Sequence, residues 1–331
     1  MNTDYTKNPL TVTSAPHIKN PETTGSVMLD VIIALLPATA WGVYVFGIRA
    51  LLIVLLSVVS AMLSEGLYQF FNNLPITVKD GSAFVTGLLL ALCLPVSVPL
   101  WMPVIGSVFA IIVVKQLFGG IGKNVVNPAI AARVFLFLAW PQYMANYTQP
   151  YLKLPLSINL DKADIVSSAT PLTSINLGNT PTVGVFDTVL GNVGGSIGEV
   201  SAVLLIVGGI YMLLRKTIKW HIPVAYIGTV AVLAFLFPQA GTISTFVAYQ
   251  VFGGGLLLGA IFMATDYVTS PVTKWGRLIY GVGCGVITVA IRYFGQYPEG
   301  VSFAIMIMNL LVWYLDMYTR PSTFGGAKVK S

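Results

Sequence analysis

The Thr170 hydroxyl is the side chain in this sequence best placed for covalent chemistry. It ends the run Asp164-Ile165-Val166-Ser167-Ser168-Ala169-Thr170, with Pro171-Leu172 directly after it. An acid, two variable residues, Ser167, the small Ser168 and then Ala169 lead to the threonine. Such a hydroxyl either accepts a phosphoryl group as an ester or is one more hydrogen-bonding group of a Ser/Thr-rich turn. Arg133 is the second residue of interest, because it stands inside an apolar run. A central Arg in lipid costs about +2.5 to +3.5 kcal/mol on insertion scales, so it must snorkel, pair or face a polar cavity. It follows Asn127-Pro128 on one short helix, whose N-terminus favours an anion such as a phosphate. The other reading is an ion pair with an acid such as Glu65. Of the acids in or beside apolar runs, Asp30 and Asp316 lie near run ends, leaving Glu65 and Asp266 as candidates for a cation path. Asp266, after a glycine-rich run, reads first as a helix-end cap.

These residues need elements to position them, and composition says which kind. The chain has 331 residues, 56% hydrophobic and 9% charged, against about 25% charged in soluble domains. It reads as an all-α polytopic membrane protein of about ten transmembrane helices. A crossing takes about 20 apolar residues. The apolar runs are 27–46, 50–71, 83–95, 100–118, 128–140, 200–214, 222–237, 246–263, 278–294 and 301–317. They divide the chain into a polar N-terminal segment 1–26, a first five-helix half 27–144, a polar loop 145–198, a second half 199–318 and a tail 319–331. No cleavable signal peptide is apparent in the polar 1–26.

With both termini cytoplasmic and all ten runs crossing, thirteen basic residues fall on the inner side: Lys7, Lys19, Lys79, Lys115, Lys123, Arg215, Lys216, Lys219, Lys274, Arg277, Arg320, Lys328 and Lys330. Four fall outside: Arg49, Lys153, Lys162 and Arg292. That asymmetry places loop 145–198 and Thr170 on the outer face. Five runs on either side of the loop make any internal repeat an inverted one. Gly87-Leu88-Leu89-Leu90-Ala91-Leu92 echoes Gly255-Leu256-Leu257-Leu258-Gly259-Ala260. Paired, glycine-interrupted helices of this kind point to a midplane site in transporter folds.

Other chemistries are excluded. The net charge of +6 marks cytoplasmic loops, not nucleic-acid binding. Cys93 and Cys284 cannot complete a four-Cys metal or iron–sulfur site, and His17 and His221 have no ligand-spaced partner, so no metal is expected. Gly119-Gly120-Ile121-Gly122-Lys123-Asn124 is not a phosphate loop: Leu117 stands where glycine is needed, and Asn124 where Ser or Thr is. No dinucleotide fingerprint follows a strand-like run. The six tryptophans lie near run ends, as an interfacial belt does.

The Asp164–Thr170 pattern resembles the sequence at which a flavin transferase esterifies FMN phosphate to threonine. Gly122-Lys123-Asn124-Val125-Val126-Asn127-Pro128-Ala129, Phe262-Met263-Ala264-Thr265-Asp266 and Ser302-Phe303-Ala304-Ile305-Met306-Ile307-Met308-Asn309 stand in order with it. Together they resemble the D subunits of Rnf ion-translocating electron-transport complexes, homologous to the B subunit of the sodium-pumping NADH:quinone oxidoreductase. Ser168 stands where that family usually has glycine, and Tyr267 where proline often follows the aspartate. The resemblance implies covalent FMN on Thr170, with Asp164, Ser167, Ser168 and Ala169 as its recognition residues and Arg133 and Asn127 beside a flavin. It also implies a noncovalent riboflavin among the helices. A flavin transferase would mature the chain. Its partners would be the flavin-bearing G subunit and the membrane A, E and C subunits, in a bacterial or archaeal cytoplasmic membrane. The implied function is electron transfer from ferredoxin toward NAD+, coupled to Na+ or H+ transport, with no activity expected of this subunit alone. The competing expectation is an inverted-repeat channel or solute transporter with no redox role.

Overall fold

The computed structural model describes residues 23–152, 154, 170–176, 181, 183–199, 201–295 and 299–321. Among them every regular element is helical, apart from one isolated bridge between Pro95 and Ser196. The first half holds α1 (Thr24–Phe46), α2 (Ile48–Phe71), α3 (Ser82–Leu92), α4 (Trp101–Val108) and α5 (Pro128–Ala139). α4 continues directly as a π-helix, Phe109–Gln116. Short helices α6 (Pro141–Met144), α7 (Pro171–Asn176) and α8 (Val185–Leu190) follow. The second half holds α9 (Ala202–Leu214), α10 (His221–Leu236), α11 (Ile243–Phe252), α12 (Leu256–Leu258) with its π continuation Gly259–Met263, α13 (Lys274–Phe294) and α14 (Val301–Thr319).

Local chemistry sets the helix starts. Thr23 and Ser26 form a reciprocal cap on α1, satisfying N–H groups that a first turn leaves free. Asn127 caps α5, its Oδ1 accepting from Ala129 N–H (3.0 Å) and Ile130 N–H (3.3 Å), and Pro128 takes the first position, where no N–H is needed.

α2 shows why these helices belong in lipid. Leu55, Val59, Leu63 and Leu67 are exposed at four-residue spacing, while Ser57, Ala61, Ser64 and Glu65 are buried. A soluble surface helix would show the opposite arrangement. α1, α2, α13 and α14 are each long and apolar enough to cross a membrane. α11 and α12 with its π continuation qualify only as a pair, bent by 54°. α3, α4 with its π extension, α5, α9 and α10 are shorter apolar helices. All ten expected runs are thus helical, but the eighth is broken at Gly253–Gly255, not continuous.

The halves share one core, which includes Leu35, Leu90, Leu92 and Ile130 from the first and Tyr226, Leu256 and Ile305 from the second. Small residues let backbones meet, as in membrane bundles generally. A Cβ on Gly208 of α9 would lie 2.4 Å from the Ala34 carbonyl of α1. The end of the polar stretch 145–198 also belongs to this core. Gly194–Gly198 are buried, and the N–H groups of Ile197 and Gly198 donate to the carbonyls of Leu94 (3.0 Å) and Leu92 (2.7 Å). The segment thereby satisfies carbonyls that the end of α3 would otherwise leave unpaired.

Candidate functional site

Thr170 is the N-cap of α7. Its Oγ1 accepts from Thr173 N–H (3.2 Å) and lies 2.8 Å from the Thr173 hydroxyl, while its carbonyl accepts from Ser174 N–H (3.0 Å). The residue is 8% exposed. Asp164, Ser167, Ser168 and Ala169 lie outside the described residues. Two apolar side chains fasten α7 to the second half. Ile175 packs with Phe246 and Tyr249 of α11, and Leu172 lies against the helix break: a Cβ on Gly254 would meet Leu172 Cδ1 at 2.8 Å. Gly254 has φ +65°, a left-handed backbone that favours glycine.

The same break borders a buried cluster of charge. Arg133, on α5, pairs with Glu299, just before α14, through a direct hydrogen bond. Its Nη2 also lies 3.7 Å from Glu199 Oε1, in the segment between α8 and α9. Side-chain exposures of Arg133, Glu199 and Glu299 are 8%, 5% and 9%. Tyr147 donates to Glu299 Oε1 (3.0 Å), and burial, with both carboxylates beside it, pushes its phenol well above the usual tyrosine range. Burial first and Glu299 second raise the Glu199 carboxyl, against the opposing pull of Arg133. Arg133 is therefore ion-paired, but not with Glu65. Neither glutamate was legible as its partner, because both lie in polar connecting segments and not in apolar runs. The available signal was the Gly194-to-Gly198 run just before Glu199, whose glycines allow the close backbone approach seen at Gly198, where a Cβ would lie 2.6 Å from Leu92 Cβ.

Glu65 is held elsewhere. Lys115 Nζ donates to Glu65 Oε1 (2.7 Å) and to Ser82 Oγ (2.6 Å), and Gln116 Nε2 donates to the same Glu65 oxygen (2.7 Å). Neighbours in sequence would splay about 100° apart on an α-helix. Here both side chains, at the end of the π-helix Phe109–Gln116, converge on one carboxylate, and such π segments are frequent at functional sites.

Lys115 also lines a cavity of about 580 Å³, within the range of small-molecule sites. The starts of α1, α3 and α5, the end of α9 and the π turn after α12 line it. Thr24, Asn124, Asn127, Phe262, Thr265 and Asp266 are on its wall; Arg133 is not. Asp266 Oδ2 accepts from the Thr269 hydroxyl (3.1 Å). Asn124 Oδ1 is buried without a hydrogen-bond partner. Asn127 Nδ2 donates to the Met263 carbonyl (3.2 Å), joining the two halves. Asn309 of α14, its amide oriented to satisfy its neighbours, accepts from Asn127 N–H (3.0 Å) and donates to Thr269 O (3.1 Å). The two acids near run ends are engaged: Asp30 with Arg215 and Tyr211, and Asp316 with Val272 N–H. Among the described residues, no three His, Cys, Asp or Glu side chains form a group that could hold a metal ion. Both cysteines are buried and free.

A lipid-facing apolar exterior, a broken helix and buried ion pairs at the junction of two helical halves define a polytopic membrane protein with a polar interior. The chain belongs to the NQR2, RnfD, RnfE family, whose model matches residues 11–325. It is 45% identical to the D subunit of the Na(+)-translocating ferredoxin:NAD(+) oxidoreductase complex of Acetobacterium woodii, over 97% of each chain. It is 40% identical to the D subunit of the proton-translocating ferredoxin:NAD(+) oxidoreductase complex of Clostridium ljungdahlii, over 96% of this chain and 97% of that one. Identity to the D subunit of the ion-translocating oxidoreductase complex of Stutzerimonas stutzeri is 40%, over 90% of this chain and 91% of that one.

Proposed function

We propose that this chain is the D subunit of an ion-translocating ferredoxin:NAD+ oxidoreductase, that it carries FMN on Thr170, and that its electron transfer is coupled to Na+ or H+ movement. The carrying observation is the near-full-length likeness to relatives of that name, joined to the position of Thr170. A phosphoester on Oγ1 would place its oxygens at the start of α7, facing N–H groups that favour an anion. A second, noncovalent flavin such as riboflavin is of a size for the 580 Å³ cavity, whose wall carries polar side chains including Thr24, Asn124 and Asn127. When bound, flavins supply electron-relay chemistry; the protein anchors them and tunes their surroundings. The flavin transferase and the G, A, E and C subunits are the proposed partners. The deciding experiment is in-gel flavin fluorescence of the denatured chain with and without the Thr170 hydroxyl.

The proposed topology is ten crossings in a bacterial or archaeal cytoplasmic membrane, as a five-plus-five inverted repeat with both termini inside. A matching feature supports the repeat. The second and fourth apolar helices of the first half are joined by Ser57 Oγ and Ser107 Oγ at 2.9 Å. Those of the second half are joined by Tyr226 Oη and Thr288 Oγ1 at 2.6 Å. In intact cells, a membrane-impermeant thiol reagent is expected to label a cysteine placed at Gly178 and not one at Gly325. The reverse pattern would invert the topology.

Asp266 and Glu65 are the proposed ion-path residues. Asp266→Asn keeps the Thr269 contact and is expected to lower ion-coupled electron transfer severalfold, with the flavin still attached. Glu65→Gln strands Lys115 as a buried charge, so it is compared with Glu65→Gln/Lys115→Gln, which is neutral throughout. Wild-type pumping in sealed vesicles by Asp266→Asn and by the double variant would remove both residues from the path.

A further inference from the structure

The Arg133 cluster contains more negative charge than its ion pair needs. Glu299 alone neutralises Arg133 through their direct hydrogen bond. Glu199 is a second carboxyl, 5% exposed, with its Oε1 lacking any hydrogen-bond partner. Its Oε2 has one weak donor, the Ser196 N–H at 3.4 Å. Both carboxyl groups lie against the same guanidinium nitrogen: Arg133 Nη2 hydrogen-bonds Glu299 Oε2 and stands 3.7 Å from Glu199 Oε1. Two buried carboxylates in that relation repel, and each is an acceptor only; a proton between them turns repulsion into a hydrogen bond.

The surrounding groups leave room for this proton. Tyr147 is committed as a donor to Glu299 (3.0 Å). Cys93, at the end of α3, is buried and directs its thiol to Met263 Sδ (3.8 Å). Arg292 of α13 is the other cation nearby, but its guanidinium donates to Gln250 O (2.6 Å), Gln250 Oε1 (2.9 Å) and Gly253 O (3.4 Å). It thus balances the carbonyl end of α11, and no ion-pair contact joins it to either glutamate among the described residues. Arg133 is the cation within pairing distance of both.

We propose that Glu199 and Glu299 form a proton-exchange site that holds one shared proton at the helix break on which the Thr170-bearing helix is docked. The location gives the site a partner in the chemistry. A Cβ on Gly254 would lie 2.8 Å from Leu172 Cδ1 and 3.8 Å from Glu299 Cγ, and one on Gly255 would lie 3.0 Å from Glu199 Oε1. The bare break lets α7 and the glutamates approach the same three glycines. Above the pH at which the pair loses its proton, taking that proton up again would offset negative charge gained by a redox group held on Thr170, and reoxidation of the group would let it go. This role in electron transfer rests on the flavin reading above; the shared proton does not.

Infrared titration of the purified full-length protein, with its glutamates heavy-carbon-labelled at the side-chain carboxyl, tests the site directly. The wild type is expected to show one protonated glutamic acid band per chain at neutral pH, titrating away on the alkaline side. Glu199→Gln and Glu299→Gln are each expected to abolish it, because either leaves one carboxylate paired with Arg133. Both replacements keep side-chain shape, so if one variant fails to accumulate the other decides. Absence of the band in the wild type, or its persistence in the variants, would overturn the proposal. Loss of the band when sodium chloride replaces potassium chloride at constant pH would make this a sodium site and overturn the proton assignment. In parallel, the midpoint potential of flavin on Thr170 is expected to depend less on pH in both variants. An unchanged dependence would sever the site from the flavin. A chain without covalent flavin would fail the flavin reading and leave the infrared result to judge the proton.

Discussion

Thr170→Asn is expected to abolish covalent flavin completely while leaving the fold intact. Asparagine is among the best N-cap residues, so its side-chain oxygen can replace the one that accepts from Thr173 N–H. An amide cannot form the phosphoester. Thr170→Ala removes both functions, with the lost cap costing about 0.5–2 kcal/mol. The pair therefore separates attachment from structure. The wild-type chain is expected to fluoresce as a denatured band, and its Thr170 peptide to gain the mass of one FMN. Both variants lose the band; Thr170→Asn unfolds at the wild-type chain's temperature when that chain is also made without flavin. A fluorescent band in Thr170→Asn would place the attachment at another residue. Thr170→Ser keeps a hydroxyl as well as the cap, and retained fluorescence there would identify the hydroxyl as the acceptor chemistry.

Much of the fold was legible because lipid imposes a simple rule on sequence. Apolar runs became helices within a few residues of their expected ends, and Asn127-Pro128 marked the start of α5 through an ordinary cap. What sequence did not reveal depended on long-range pairing. The glycines at 253–255 marked the run 246–263 as interrupted, but not what meets it there: Leu172 of α7 and the Glu199 and Glu299 side chains. Lys115 and Glu65 are fifty positions apart, and nothing in the local sequence announces that Gln116 reaches the same carboxylate. Arg133 announced that it needed a partner, but its glutamates sit in segments that read as loops. A polar run is expected to be solvated, and only the glycines around Ser196 and Ile197 mark the residues that turn into the core. The cavity is likewise a product of several elements and has no signature in any one of them.

Arg133→Gln is expected to be the most destabilising single change in this region. It leaves Glu199 and Glu299 buried without a cation within pairing distance, and breaking a buried pair in this way costs about 3–5 kcal/mol. The loss has a definite pH dependence. Glu199 is already raised above its ordinary value of 4.5 by burial and by Glu299, with Arg133 opposing; removing Arg133 raises it further. A carboxyl whose folded value lies above its unfolded one contributes stability at low pH, which is lost as pH rises from about the unfolded value toward the folded one. The variant is therefore expected to survive best in mildly acidic detergent solution and to fall furthest behind the wild type at alkaline pH. Arg133→Gln/Glu199→Gln/Glu299→Gln removes the stranded charges together with their cation and is expected to recover most of the lost stability. Thermal unfolding of the wild type and these two variants across pH measures this. If the single variant matched the wild type at alkaline pH, the guanidinium would not be what holds the two carboxyl groups in the core, and another cation would have to be. Arg292 is the nearest alternative, and it could take that role only by giving up the carbonyls of Gln250 and Gly253.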